Sequence, residues 1–429
     1  MIGFDTIEYA SLTDVGIKRS HNQDAHSTLL ANDEEQWRDR GHIFVVADGM
    51  GAHAVGELAS ELAVSIIPHT YHKYAPQGGI PALRKAFIEA NASIHAKGQQ
   101  NPEFGGMGTT TTALLLRPEG AWVGHVGDSR TYRIRDGKIE QLSFDHSLVW
   151  EIARRQGVEP ETLQGIPSNV IVRSLGPEPL VQVDVEGPHP IRQGDIFVLC
   201  SDGLTGQLSD SEIGAIASAL PAAEACRFLI DLANLRGGPD NITVLIVRVN
   251  SRPDGDQDVP IEKKAWYQRL PWPLTSLVAG LLLVGGAAYL YRFGLREVSI
   301  AVFVMAALAI VGGLIGLGMT LAREKRRMAL EPGYAKPRVY RRVPCQAEGP
   351  LVEKLSKAVK NLKQQIKEKQ WEMDWPGYQR HEDAAESLIG QQKLLEGFCE
   401  YCRAMRMLAE TVQRYRPRGA EGFSPNWEK

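Results

Sequence analysis

The sequence predicts an α+β protein: antiparallel sheets covered by helices, followed by two membrane-spanning helices and a helical tail. Three observations carry this. Short β-branched runs bounded by turn residues cluster within residues 1–250, with helical periods between the clusters and no regular β-α-β alternation. Two uncharged apolar runs, 273–291 and 298–322, stand close together in the back half. Apolar residues spaced by three and four return after residue 350.

In chain order, strands are expected at His42–Ala47, Thr110–Leu116, Ala121–Val126, Ile196–Ser201 and Ile242–Val249, and helices at Gly56–Ile67, Ile80–Gly98, Asp210–Leu220 and Ala222–Leu235. The polar stretch that opens at Ser251 has no apolar period. Residues 1–250 therefore close as a domain, and 251–272 read as a linker. As helices, 273–291 and 298–322 are each long enough to cross a hydrocarbon core of about 30 Å, and the short connection allows only a hairpin spanning 273–322. Lys263, Lys264 and Arg269 precede it and Arg323, Lys325, Arg326 and Arg327 follow, so the positive-inside rule puts both flanks in the cytoplasm. Gly312 and Gly316 have the spacing that lets such helices pack closely. Residues 331–350, with four prolines, read as a second linker. Within 351–416, Leu351, Leu355, Val359, Leu362 and Ile366 form one stripe; Leu388, Leu395, Phe398, Cys402, Met405, Ala409 and Val412 form another. Two amphipathic helices are expected there, with either a private core or a self-association surface.

Composition narrows the function. The chain has 429 residues, 48 Lys+Arg against 51 Asp+Glu, and net charge −3. That excludes a disordered chain, a collagen-like repeat and a strongly basic nucleic-acid binder. The balance hides an acidic front (net −11 over 1–250) and a basic back (net +8 over 251–429). The opening residues have no basic start or apolar stretch, so no signal peptide is expected, and the five cysteines would stay reduced in the cytoplasm. Cys-x5-Arg, the P-loop, His-Glu-x-x-His and Gly-x-Ser-x-Gly are all absent from the sequence. Gly49-Met50-Gly51-Ala52-His53-Ala54 imitates a dinucleotide loop, but Asp48 directly before it would repel a pyrophosphate. Cys399 and Cys402 supply two thiols, too few for a zinc site.

The front half does have aspartates at strand ends. Asp48 and Asp202 each end an apolar strand and precede a glycine; Asp128 follows a strand and Asp240 precedes one. One such aspartate is usually a turn former. Four suggest a cluster needing a cation, and an all-oxygen donor set selects Mg²⁺ or Mn²⁺ over Zn²⁺. The residues alone leave the reaction open.

Ordered motifs then make a resemblance specific: TDVGIKRSHNQDA (13–25), VVADGMGAHAVGELAS (45–60), GMGTTTTALLL (106–116), GHVGDSRTYRI (124–134), FDHSLV (144–149), NVIVRSLG (169–176), DIFVLCSDGL (195–204) and GGPDNITVLIV (237–247). In this order they resemble bacterial metal-dependent serine/threonine protein phosphatases of the PPM (type 2C) family. The resemblance implies a β-sandwich of two antiparallel sheets flanked by helices, with Mn²⁺ or Mg²⁺ at one end: two ions and a weaker third. It implies that Asp48 bridges two ions and Gly49 offers its carbonyl, that Asp202, Asp240 and Asp24 complete the surroundings of the second ion, and that Asp128 with Asp202 holds the third. Arg19 falls where the family clamps phosphate, a match between guanidinium fork and phosphoryl oxygens. There are departures. Ala52 stands for a glycine, Gln23 for a glutamate of some relatives, and Met50 where animal relatives have a histidine proposed as general acid. Residues 145–185 correspond to the family's flap, where Trp150, Arg154 and Arg155 are expected to be exposed, to touch substrate or cap the sheet. The implied function is hydrolysis of phosphoserine and phosphothreonine in proteins by two-metal activation of water, against an opposing Ser/Thr kinase or its targets. The chain would sit in lipid at the bacterial inner membrane, with phosphatase domain and tail in the cytoplasm. The alternative is a membrane signalling scaffold whose phosphatase-like domain binds partners.

Overall fold

The computed structural model describes residues 5–51, 55–163, 165–167, 169–250, 272–330, 334–335 and 337–415. Ala52, most of the 251–272 linker with Lys263, Lys264 and Arg269, and part of the 331–350 linker lie outside the described residues. The strands are β1 (Ile7–Asp14), β2 (Asp24–Leu29), β3 (His42–Met50), β4 (Gly108–Thr109), β5 (Thr111–Arg117), β6 (Gly120–Val126), β7 (Arg130–Arg135), β8 (Lys138–Gln141), β9 (Asp184–His189), β10 (Ile196–Cys200), β11 (Ile242–Val249), β12 (Tyr334–Ala335) and β13 (Arg341–Pro344). The helices are α1 (Glu34–Asp39), α2 (Val55–Tyr74), α3 (Gly79–Gly98), α4 (Leu148–Gln156), α5 (Asp202–Thr205), α6 (Asp210–Ala219), α7 (Ala222–Leu235), α8 (Trp272–Arg292), α9 (Arg296–Leu330), α10 (Gly349–Glu368), α11 (Trp375–Gly390) and α12 (Leu394–Tyr415).

Alternation of side chains across the pleat builds two sheets into one sandwich. In β3, Phe44 and Val46 point to the space between the sheets, where they meet Leu114, Phe197, Leu199, Leu245 and Val247. Ile43, Val45 and Ala47 point the other way, onto Ala63, Ile67, Leu83 and Phe87 of α2 and α3. One sheet has the order β1-β11-β10-β7-β8-β13, and the other runs β9-β6-β5-β3-β2 with β4 on β3. Its ladders are antiparallel. Because both faces are covered, β10 is buried at every residue and reads as a continuous apolar run. All five expected strands and all four expected helices are present; Ile242–Val249 and Ala222–Leu235 have the expected bounds and the others have shifted ends. β7 and β8 escape a reading of the sequence because their polar residues are internal: Arg133 and Glu140 form an ion pair with both side chains 8% exposed.

The tail differs most from expectation. Residues 335–429 belong to the same compact unit as 1–253. There are three helices rather than two, and their core is not private: Leu355, Val359, Phe398, Cys402 and Met405 share one cluster with Ile216, Phe228 and Leu232 of α6 and α7. The reason lies in α7, which buries residues nearly all round its axis, so that one side needs a cover beyond the sheet. Polar contacts fix the docking, with Gln413 donating to Asp231 at 3.1 Å and the Cys399 thiol to the Ala219 carbonyl at 3.3 Å.

The second unit, Asp254–Tyr334, contains α8 and α9. Ser299 Oγ donates to the Ala287 carbonyl at 2.8 Å, and Ala287 and Ala306 are buried between the helices. Closest approach falls at Gly280, where a Cβ would stand 2.5 Å from Ile310 Cγ1; Gly312 of the expected glycine pair meets open space. Leu281, Leu282, Phe303 and Leu308 point outward, exposed. Among the described residues one helix is long and apolar enough to cross a membrane, at Arg296–Leu314 with mean hydropathy 2.2; Val278–Arg292 is a shorter apolar segment.

Phe398 is fully buried where the tail meets α6 and α7. Phe398→Ala should lower unfolding free energy by about 3–5 kcal/mol, and ending the chain at residue 253 should lower it too by uncovering Phe228 and Leu232. Denaturant melts of phosphatase-unit fluorescence check both. An unchanged midpoint in the shortened chain would mean the tail is not part of that core.

Candidate metal centre

Strand pairing brings the predicted aspartates together. β2 and β3 pair with Asp24 directly opposite Asp48. β10 and β11 pair in the other sheet; Asp202 follows the first as the opening residue of α5, and Asp240 stands just before the second. Asp128 lies in the turn between β6 and β7. The consequence is electrostatic. Burial raises the Asp48 pKa well above the usual carboxylate range, and the charges of Asp24, Asp202, Asp128 and Asp240 push it further. Burial, then Asp202, lift Asp128 to about 8. Asp24 rises to about 7, chiefly through burial, although Ser201 and Thr243 oppose the shift. Burial and Asp240 raise Asp202, which is hydrogen-bonded to Asp48.

Neighbouring side chains hold these carboxylates in place. Asp24 Oδ2 accepts from Ser201 Oγ and Thr243 Oγ1, both at 2.7 Å. The Asp48 carbonyl accepts from the Thr109 hydroxyl and the Thr110 N–H, each at 2.8 Å. Asn241, buried, donates its amide to the carbonyls of Val15 and His21 and accepts from the Gln23 N–H, so it ties the Arg19 loop to Asp240. Sequence reasoning missed Asn241, Ser201, Thr243 and Thr109; the only signal was their place beside an aspartate or a strand end.

Both Asp-Gly pairs have a steric cause. A Cβ on Gly49 would stand 2.1 Å from the Gly56 carbonyl oxygen, and one on Gly203 2.0 Å from that of Asn241. Each glycine lets another strand or helix crowd in behind the carboxylate. Arg19 Nη2 donates to Asp240 Oδ2 at 2.8 Å; at 50% side-chain exposure it keeps donors facing solvent. Trp150, expected exposed, is instead 8% exposed and packs edge-on to Phe144. The flap's few apolar residues are used for its own small core. Of the two flap arginines, Arg154 lies over the Phe144 ring at 5.0 Å.

The donor set fits hard divalent cations. Asp24 Oδ1 and Asp128 Oδ1 are buried oxygens without a hydrogen-bond partner, a costly state unless a cation or water meets them. Among the described residues, no three His, Cys, Asp or Glu side chains form a closed cage as they stand. The thiols offer no rival chemistry: burial pushes Cys200 up, and Cys226 to about 12, far from any thiolate nucleophile at neutral pH.

With this geometry in place, the comparisons are decisive. The family model described as protein phosphatase 2C matches residues 17–230. The chain is 35% identical over 241 residues to the serine/threonine phosphatase stp of Listeria monocytogenes, covering 55% of this chain and 93% of that one. This chain belongs to the protein phosphatase 2C family. It is 36% identical over 250 residues to the protein phosphatase PhpP of Streptococcus pneumoniae, covering 57% of this chain and 98% of the relative. To the serine/threonine protein phosphatase PstP of Mycobacterium tuberculosis it is 35% identical over 250 residues, but it spans only 45% of that protein's length. A crystal structure of the M. tuberculosis phosphatase superposes with TM-score 0.51 at 32% identity, covering 57% of this chain and 99% of that one. The two antiparallel sheets flanked by helices are the phosphatase 2C fold, and the tail falls outside the residues matched to the family.

The raised pKa values fix a pH signature for the metal-free protein. An aspartate whose folded pKa exceeds its unfolded value stabilises the fold at low pH and loses that contribution as pH rises. Chelated protein should therefore lose stability from about pH 4 to about pH 8, the range between the ordinary aspartate value and those of Asp24 and Asp128. Mn²⁺ should flatten the dependence. Melting temperature across that range, with and without Mn²⁺, checks it, and a metal-free profile that rises through this window contradicts the clustered site.

Proposed function

We propose that this chain is a membrane-tethered protein serine/threonine phosphatase that uses Mn²⁺ or Mg²⁺ to hydrolyse phosphoserine and phosphothreonine in proteins. The observation that carries the reading is the mutual coupling of Asp24, Asp48, Asp128, Asp202 and Asp240 at one end of a phosphatase 2C sandwich. Enzymes of this family depend on these ions. Asp48 and the Gly49 carbonyl would hold the ions, with Asp202, Asp240 and the free oxygen of Asp24 beside them, and Asp128 with Asp202 would support a further one. Bound ions supply Lewis-acid activation of water and neutralise phosphoryl charge. Arg19 binds and orients the phosphoryl oxygens through donors not used on Asp240. Met50 has no proton to give, so it does not serve as the leaving group's acid.

The tether is the α8–α9 pair, proposed to cross the bacterial inner membrane twice with both flanks in the cytoplasm. Its outward apolar side chains suit lipid better than water, and the connection Phe293–Leu295 is too short to hold a domain outside. Protein substrates near the membrane, including targets of an opposing Ser/Thr kinase, would then meet the enzyme at raised local concentration. The gathering of the other four predicted aspartates around Asp48 supports the enzyme reading over the scaffold alternative.

The full chain in detergent should turn over p-nitrophenyl phosphate and phosphothreonine peptides with Mn²⁺ and not with chelator. Asp48→Asn, Asp202→Ala or Asp240→Ala should each reduce turnover by at least about a hundredfold, since each removes charge stabilisation. Near-normal rates in those variants would defeat the metal reading. Arg19→Ala should raise KM for phosphopeptides while leaving Mn²⁺ affinity nearly unchanged, and unaltered kinetics would show that the clamp is misplaced. A Gly294→Cys variant should react with membrane-impermeant maleimide from outside the cell; protection there contradicts the two-span topology.

A further inference from the structure

Leu175 and Val183 anchor the far end of the flap in the core under α2 and α3, but its first part, α4 and the turn Pro160–Thr162, has little to hold it. Its core is Phe144, Val149 and Trp150, with Leu163 and Ile166 partly buried beside them. A segment with so few buried apolar contacts has low local stability. Yet it borders the carboxylates: the Val172 N–H donates to the His146 carbonyl at 2.8 Å, and the His146 N–H to that of Gly127, beside Asp128, at 2.7 Å. The Leu175 N–H donates to the carbonyl of Thr109, whose hydroxyl holds Asp48.

The missing support comes from the segment after α9. β13 adds to the edge of β8, with Arg341 opposite Gln141. Tyr340 joins the flap core, its ring centre 5.3 Å from that of Phe144, and donates its hydroxyl to Glu186 on β9. Arg341 divides its guanidinium among three carboxylates, one of them Glu159 at 4.0 Å. One nitrogen bonds Glu161, in the flap turn Pro160–Thr162, and the other lies 3.4 Å from Asp210. The guanidinium carbons of Arg341 and Arg130 stand 5.6 and 5.7 Å from the Trp150 ring centre. Two cations around one indole would repel, but Asp210 serves both, 3.5 Å from Arg130. Arg130 also pairs with Asp145 at 2.8 Å and follows Asp128 by two residues.

We propose that Tyr340 and Arg341 are positioning residues for the flap, so that the strand after the membrane helices sets how a phosphorylated protein segment reaches the carboxylates. The positioning part stands on these contacts alone, and the substrate part rests on the phosphatase reading above. A small aryl phosphate needs little of the flap; a peptide lies along it.

The test uses the full chain in detergent with Mn²⁺, comparing wild type with Arg341→Gln, Arg341→Lys and Glu161→Gln. Glu161 is largely exposed, so its variant cuts the clamp from the flap side without disturbing the core. Amide hydrogen exchange over 158–172 should speed up about tenfold in both Gln variants while α10 and α12 exchange as in wild type. The ratio of kcat/KM for a phosphothreonine peptide to that for p-nitrophenyl phosphate should fall by about tenfold, mainly through the peptide KM, and Arg341→Lys should restore part of it. Unchanged flap exchange in the two Gln variants overturns the proposal. So does exchange that rises equally in α10 and α12, which would make Arg341 an anchor of the tail, or an equal loss on both substrates. A wild-type chain inactive on both substrates overturns the phosphatase reading instead, and exchange alone then decides the clamp.

Discussion

Repulsion among buried carboxylates is the constraint on which the rest of this structure depends. Asp24, Asp48, Asp128 and Asp202 are all raised by burial and by neighbouring carboxylates, Asp240 among them, so the fold must hold charge that would rather separate. It does so with rigid backbone. Each acid sits at the end of, beside, or in a tight turn from a strand whose other residues are committed to the core, so none can withdraw without disturbing the sandwich. The four threonines Thr109 to Thr112 are all fully buried beside this end of the sheet, and their hydroxyls bond the backbone and the facing Ser129 and Thr131. A cation that relieves the repulsion gains in affinity what the fold has lost in stability.

How much of this was legible follows from what each position needs. Asp48 and Asp202 could be found because each ends an apolar run and precedes a glycine, and the glycine is required by a close carbonyl in both cases. β3, β10 and β11 were legible because a strand covered on both faces has a run of at least four consecutive apolar residues. β7 and β8 were not, because Arg133 and Glu140 satisfy each other inside, and a buried pair looks on paper like two exposed charges. Asn241 was hidden for a related reason: its importance lies in three partners from residues 15–23, more than two hundred positions away. Single-residue type and local period contain no record of such contacts.

The tail shows the same limit at larger scale. Its stripes at spacings of three and four were plain, but an amphipathic stripe states only that something covers it. The complementary fact lay in α7, whose buried residues, Asp231 and Asn234 among them, reach nearly all round the helix and so required a cover. Neither observation alone decides the pairing; together, with Gln413 reaching Asp231 and Arg403 reaching Glu224 at 3.3 Å, they do. The proline-rich stretch 331–350 that read as a plain linker includes β13, a strand that completes a sheet.

This changes what the interruption of the chain means. A phosphatase unit that ended at residue 253 would fold around its own two sheets and leave β8 an open edge, a liability for any sheet. Here that edge is closed by residues that arrive only after the polypeptide has passed through α8 and α9. The helix pair is therefore an insertion between two parts of one folded unit rather than an appendage to it. Covalent order links the apolar helices to β13, and the ion pair of Arg341 with Asp210, which Arg130 shares, links β13 to the neighbourhood of the acidic cluster. A displacement of β13 has a short path to the flap, through Arg341 and Glu161.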